Sequence, residues 1–200
     1  MRIFFAGLIA GIVAYGWGLF SWMGLPFHGQ SLHNIEAPPA VVEEWFQKNL
    51  PKSGAYHYPG FEKNADGSPP SQAQMEATFE RMRKSPGVSV MFYVAGGREP
   101  IPNWKIGANV GVCVVAAWIA AWMLSLAADR LRGYFDRAAF VFGLGLFAML
   151  AALGPQFIWF DWPLDYAVPT LLDPLIAWLL AGLVIAGIVR PGRVTRSERA

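Results

Sequence analysis

Long apolar runs alternate with polar stretches along the chain. The apolar runs cover residues 3–23, 106–127, 138–157 and 170–189. Each is about 20 residues long, which is the length an α-helix needs to cross the hydrocarbon core of a bilayer. The pattern therefore predicts a membrane all-α protein with four transmembrane helices.

Residues 24–104 follow a different pattern, with most of the prolines and a near balance of eight acidic and seven basic residues. Apolar spacing within this segment predicts a helix over 41–50, a strand over 54–61, a helix over 71–84 and a strand over 88–95. We expect a small α/β extracytoplasmic domain between helices 1 and 2, resting on the membrane surface. The stretch that leaves the first span could add to its sheet.

Composition agrees with the membrane assignment, because 54% of residues are hydrophobic and only 15% are charged, too few for a water-facing surface. The N-terminal run is longer than the apolar region of a signal peptide and lacks a small-residue cleavage site. We interpret it as a retained anchor.

Seven of the sixteen basic residues are arginines in two short stretches, 130–137 between the second and third spans and 190–199 after the fourth. Basic residues in short loops favour the cytoplasmic side of a membrane. Both termini are therefore predicted to be cytoplasmic, with residues 190–200 as a basic tail and 24–104 as a periplasmic domain. This places the chain as a multi-pass protein of a bacterial inner membrane.

Gly7 and Gly11 form a G-x-x-x-G spacing in the first span. Small residues at this spacing allow two helix backbones to approach closely in lipid. Packing against another span of the same chain is the favoured interpretation, and contact with a separate partner is the alternative.

Three histidines, His28, His33 and His57, lie in the first half of the 24–104 segment, and Glu36 could complete a ligand set. Histidine is a common ligand of zinc and copper. Ordinary surface or interfacial histidines explain the same spacing and are favoured. The single cysteine, Cys113, excludes an intrachain disulfide.

Asp173 is the one carboxylate in a predicted span, about one turn from its outer end, and Lys105 is expected at a similar depth on the second span. A polar contact between them at the interface is the favoured interpretation. Because ionisable groups inside a membrane are costly, a coupling-ion site is the alternative.

Aromatic residues crowd the predicted turn between the third and fourth spans, where rings suit the headgroup layer. Phe157, Trp159 and Trp162, with Tyr58 of the outside domain, could line a pocket for a lipid or another apolar ligand. Asp161 and Asp165 flank Trp162 and are interpreted as solvated loop residues or as contacts to the outside domain.

The order of one span, a large insert and three closely spaced spans resembles the claudin-type four-helix membrane plan in topology. The segments Leu25-Pro26-Phe27 and Tyr56-His57-Tyr58-Pro59-Gly60 are similar to those of uncharacterised bacterial four-span inner-membrane proteins.

No P-loop, dinucleotide-binding motif, haem attachment motif or nucleophile elbow occurs in the sequence. We therefore expect a non-enzymatic accessory or scaffold subunit without a cofactor, in contact with the lipid bilayer and with another integral membrane protein or a second copy. No nucleic-acid partner is expected. The alternatives are lipid or apolar-ligand binding at the outer interface and, third, periplasmic metal handling through the three histidines.

Overall fold

The computed structural model describes residues 1–61 and 64–192, which contain seven α-helices and two β-strands. The helices are α1 (Arg2–Gly24), α2 (Phe27–Ser31), α3 (Pro39–Asn49), α4 (Gln72–Lys84), α5 (Asn103–Ala127), α6 (Tyr134–Trp159) and α7 (Leu164–Ile188). The strands are β1 (Gly54–Tyr58) and β2 (Val88–Tyr93). Two compact units result, one from residues 1–33 with 101 onward, and one from residues 34–100.

The four long helices α1, α5, α6 and α7 are each long and apolar enough to cross a membrane, as the sequence predicted. Helix α1 packs against α5 and α7, and α6 packs against α7. The shared core consists mainly of small residues, among them Ala6, Ala10, Ala117, Ala121 and Ala181, all fully buried. Large apolar side chains lie on the outer surface, an arrangement consistent with a lipid environment.

Gly7 and Gly11 face α5. A Cβ atom built on Gly7 would lie 1.8 Å from Cδ1 of Trp118, and one on Gly11 would lie 2.4 Å from the backbone Cα of Val114. Trp118 also donates its indole N–H to the Phe4 carbonyl at 2.8 Å. The two glycines thus set the close approach of α1 to α5.

Helices α6 and α7 are longer than their apolar runs. Helix α6 continues through Pro155 to Trp159, and α7 begins at Leu164, so the connection between them is shorter than the predicted turn. Hydropathy misses these end turns because they include polar residues, and proline is tolerated inside apolar helices of this kind.

Residues 34–100 form the second unit, with the predicted order helix, strand, helix, strand. Strands β1 and β2 pair antiparallel, with Gly54 opposite Tyr93 and Tyr58 opposite Val88. Helix α4 begins with a capping box in which the Ser71 hydroxyl accepts from the Gln74 N–H and the Gln74 side chain accepts from the Ser71 N–H.

The stretch that leaves the first span does not join this sheet, which has two strands in the described residues. It forms the short helix α2, which packs on α7 and α1 within the first unit. Pro26 cannot continue α1 and starts the new helix, because its fixed φ angle suits a helix N-terminus.

Candidate functional site: a buried polar cluster among α1, α2 and α7

Helix α2 places His28 inside the first unit, where it is only 2% exposed. Its ring stacks on the Trp22 indole, with centroids 4.1 Å apart and an interplanar angle of 7°. The His28 backbone carbonyl accepts a 2.9 Å hydrogen bond from the Ser31 hydroxyl. His28 is therefore held by contacts to both its ring and its backbone.

The Nε2 atom of His28 faces two polar groups. It lies 3.1 Å from Oγ of Ser21 and 3.7 Å from Oδ2 of Asp173. The other carboxylate oxygen of Asp173 accepts a 2.7 Å hydrogen bond from the Trp17 indole N–H. We call Trp17, Ser21, His28 and Asp173 the His28–Asp173 cluster.

Three helices build this cluster. Trp17 and Ser21 are four residues apart on α1 and share one face, His28 comes from α2, and Asp173 comes from α7. Ser21 is fully buried, and the Asp173 side chain is 13% exposed. A carboxylate in an apolar helix is costly unless it is hydrogen-bonded, and the Trp17 indole N–H supplies such a bond to Asp173.

Serine, histidine and aspartate together raise the possibility of nucleophilic catalysis. In a catalytic triad the two imidazole nitrogens have separate partners, with the acid on one and the nucleophile on the other. Here Ser21 and Asp173 both face Nε2, and the Ser21 hydroxyl is shielded from any substrate. The geometry suits a polar clamp between helices and does not suit acyl transfer.

Sequence reasoning singled out His28 and Asp173 but did not join them, and it missed Trp17. The i, i+4 spacing of Trp17 and Ser21 was the available signal for a polar stripe on α1. Lys105 and Asp173 form no ion pair within residues 1–61 and 64–192, and the Lys105 ammonium lies 5.8 Å from the Trp104 ring centroid.

The three histidines have separate surroundings. His33 is exposed, and its Nε2 atom lies 2.9 Å from Oδ2 of Asp165. His57 lies on β1 of the second unit. The described part of the chain contains no group of three or more histidine, cysteine, aspartate or glutamate residues that could hold a metal ion.

The residues predicted to line an apolar pocket lie near the α6–α7 connection, except Tyr58, which is on β1 of the second unit. Phe157 is half-buried, Trp159 is 81% exposed at the end of α6, and Trp162 packs edge-on against Tyr166 with centroids 5.1 Å apart.

An apolar cavity of about 330 Å³ lies elsewhere, between α5 and α6. We call it the α5–α6 cleft. Its walls and floor are formed by Ala116, Ile119, Ala120, Met123, Leu144, Gly145, Phe147, Ala148 and Trp178. All are apolar, so the cleft suits an apolar occupant.

Arg137 is a buried polar residue whose role differs from that of the neighbouring arginines. It is 5% exposed, and its guanidinium donates to the carbonyls of Leu131, Arg132 and Ala186 at 2.8–3.2 Å. It therefore ties the α5–α6 connection to the last turns of α7. The sequence showed it only as one of several basic residues in a short loop.

These features define a class: a helical protein with four helices fit to span a membrane and a separate small unit carrying a two-stranded sheet. Comparison with protein-family models, with curated proteins and with solved structures gives no match for the chain.

Proposed function

We propose that this protein is a non-enzymatic accessory or scaffold subunit of a larger assembly in a bacterial inner membrane. In this proposal both termini are cytoplasmic and the unit of residues 34–100 is periplasmic. The arginines at 130–137 and 190–199 support this orientation, because they flank the ends of the apolar helices on one side.

The α5–α6 cleft is the observation that carries the proposal. Helices joined by a short connection are usually neighbours, and only residues 128–133 separate α5 from α6. Yet α5 packs mainly on α1, and α6 packs mainly on α7. The two helices leave an apolar opening that reaches Trp178 on α7.

We assign a transmembrane helix of another membrane protein as the occupant of this cleft. Ala116 and Ala120 lie one turn apart on one wall, and Ala148 lies on the other. Small residues so placed let a helix backbone come close, and packing of this kind drives helix association where the surroundings are already apolar.

The His28–Asp173 cluster supports the non-enzymatic part of the proposal. Its side chains pair with one another across three helices, and the Ser21 hydroxyl is fully buried. A clamp of this kind keeps the scaffold rigid, which reduces the ordering cost of binding a partner.

Substitution within the cleft tests the proposal. Ala148 is exposed and lines the cleft, so Ala148→Phe fills the opening without disturbing the core. Ala139→Phe is the matched control, because Ala139 is exposed on the same helix and does not line the cleft. We expect purification in mild detergent to yield a stoichiometric membrane-protein partner with the wild type and with Ala139→Phe, and to lose it with Ala148→Phe.

Binding of a lipid or another apolar ligand is the second candidate, and the wholly apolar lining of the cleft favours it over a polar cargo. If the purified protein carries a stoichiometric lipid and no partner, and Ala148→Phe removes that lipid, the scaffold proposal is wrong and the ligand-binding function replaces it.

A further inference from the structure

A second cavity, of about 360 Å³, lies at the end of the first unit where α1 begins and α7 ends. Its lining residues are Met1, Arg2, Ile3, Ser125, Val189 and Arg190. We call it the Arg2–Arg190 cavity. It lies far from the His28–Asp173 cluster along α1 and α7, since Trp17, Ser21 and Asp173 belong to the opposite halves of these helices.

Two arginines line this cavity, and among residues 1–61 and 64–192 no aspartate or glutamate does. Arg190 is held in place because its Nε–H donates to the Gly187 carbonyl at 2.9 Å, which leaves its two terminal nitrogens for other acceptors. Asp129, in the α5–α6 connection, accepts a hydrogen bond from the Gly192 backbone N–H at 3.1 Å. The charged side chains that line the cavity, within the described residues, are therefore both cationic.

The other residues that line the cavity indicate which kind of anion it suits. Ile3 and Val189 are apolar and lie beside the two arginines. Ser125 donates its hydroxyl to the Trp122 carbonyl at 2.6 Å, so it offers an oxygen acceptor and not a donor. Two arginines beside apolar residues match a phosphate that is attached to an apolar chain.

The position along the helices points to the membrane boundary. Arg2 is the first residue of α1, Arg190 follows the end of α7, and Ser125 lies in the last turn of α5. Helices of this length place their ends at the headgroup layer of a bilayer. Basic pockets between helices at this depth are typical sites for anionic headgroups.

We propose that the Arg2–Arg190 cavity binds the phosphate of an anionic membrane phospholipid. The two guanidinium groups hold the phosphodiester, and Ile3 contacts the start of the acyl chains. The cavity is of the size found for small-molecule sites. The site is separate from the α5–α6 cleft. A negative result for one of the two sites therefore leaves the other proposal intact.

Native mass spectrometry of the full chain tests this site, after reconstitution in vesicles with equal amounts of phosphatidylglycerol and phosphatidylcholine. The wild type should retain phosphatidylglycerol in preference to phosphatidylcholine. Arg2→Gln combined with Arg190→Gln should lower that preference about tenfold, since each arginine near an anionic surface contributes a several-fold factor. Replacement of both by lysine keeps the positive charges but not the planar guanidinium groups, so it should lower the preference less than the two glutamines do.

Arg132→Gln is the matched control, because Arg132 is exposed near the same end and does not line the cavity. It should leave the preference unchanged. Arg2→Gln alone removes a side chain that does not cap α7, so it tests the site even if loss of Arg190 unfolds the protein. An unchanged preference in Arg2→Gln and in the double variant would overturn the proposal. Displacement of the lipid by millimolar inorganic phosphate would also overturn it, by assigning the cavity to free phosphate.

Discussion

Nε2 of His28 lies 3.7 Å from Oδ2 of Asp173, although the two residues belong to helices far apart in the sequence. The contact joins α2 to α7, and Trp17 extends it to α1 by its 2.7 Å hydrogen bond to the same carboxylate. Burial of both side chains makes this contact matter for stability, since an unpaired polar group in an apolar helix bundle is costly.

Asp173→Leu should destabilise the helical unit. The substitution leaves the Trp17 indole N–H without its acceptor and removes the carboxylate that faces His28. Loss of a buried hydrogen-bond partner costs about 1–3 kcal/mol. Denaturant titration in mixed micelles measures the free energy of unfolding. Asp173→Asn, which keeps an oxygen for Trp17, should cost less.

Asp165→Leu is the control for this prediction. Asp165 pairs with His33 on the surface, and exposed pairs contribute little. Equal losses for Asp165→Leu and Asp173→Leu would show that the buried cluster has no special structural role.

Gly11→Ala should weaken the packing of α1 on α5. The added Cβ atom would lie 2.4 Å from the Val114 backbone, so the helices must separate, and overpacking of this kind costs about 1–3 kcal/mol. Gly16→Ala meets no atom within 4 Å and should leave stability unchanged or slightly improved. The same unfolding titration compares the two variants, and a cost for Gly16→Ala that equals that of Gly11→Ala would contradict the packing.

Sequence patterns predicted the four long helices and the order of elements in residues 34–100, because hydropathy and apolar spacing are local properties. The G-x-x-x-G spacing favoured packing of Gly7 and Gly11 against another span of the same chain. The partner of Asp173 was not predictable in this way. It depends on α2, a helix of five residues that turns His28 back into the bundle, and short helices leave no periodic signal.

Arg137 shows the same limit. By composition it belongs with Arg130 and Arg132, yet it alone of the three is buried, because α6 begins at Tyr134 and turns this side chain toward the Ala186 carbonyl of α7 and two carbonyls of the α5–α6 connection. The burial of Arg137 depends on where α6 begins. That position lies in a polar turn outside the apolar run.

Arg137→Met should therefore destabilise the protein by about 1–3 kcal/mol, because three backbone carbonyls lose a charged donor. Arg132→Met, at an exposed position in the same connection, should change the free energy of unfolding much less. Thermal and denaturant unfolding of the two purified variants measures the difference. A similar effect of both substitutions would show that total charge, and not the buried contact, is what matters.

Glu80 should titrate below its usual value. Hydrogen bonds from Lys84 and then Arg83 lower the pKa of this carboxyl from 4.5. A lowered folded-state pKa means that the stabilisation is present above the ordinary value and is lost as pH falls through the folded-state pKa. Carboxyl NMR of the full chain in detergent gives the midpoint.

Lys84→Met should raise the midpoint of Glu80, because it removes the largest of these contributions. Lys48→Met, which removes the same charge from α3, should leave the titration midpoint of Glu80 unchanged. A midpoint that does not move in Lys84→Met would contradict the assigned cause.

Cysteine accessibility in intact cells tests the four-span arrangement most directly. In a Cys113→Ala background, Ala65→Cys reports on residues 34–100 and Arg132→Cys on the α5–α6 connection, and both positions are exposed. A membrane-impermeant maleimide added to bacteria with a permeable outer membrane should label Ala65→Cys at once and Arg132→Cys only after the inner membrane is opened. Labelling of Arg132→Cys in intact cells, with Ala65→Cys protected, would contradict the proposed topology.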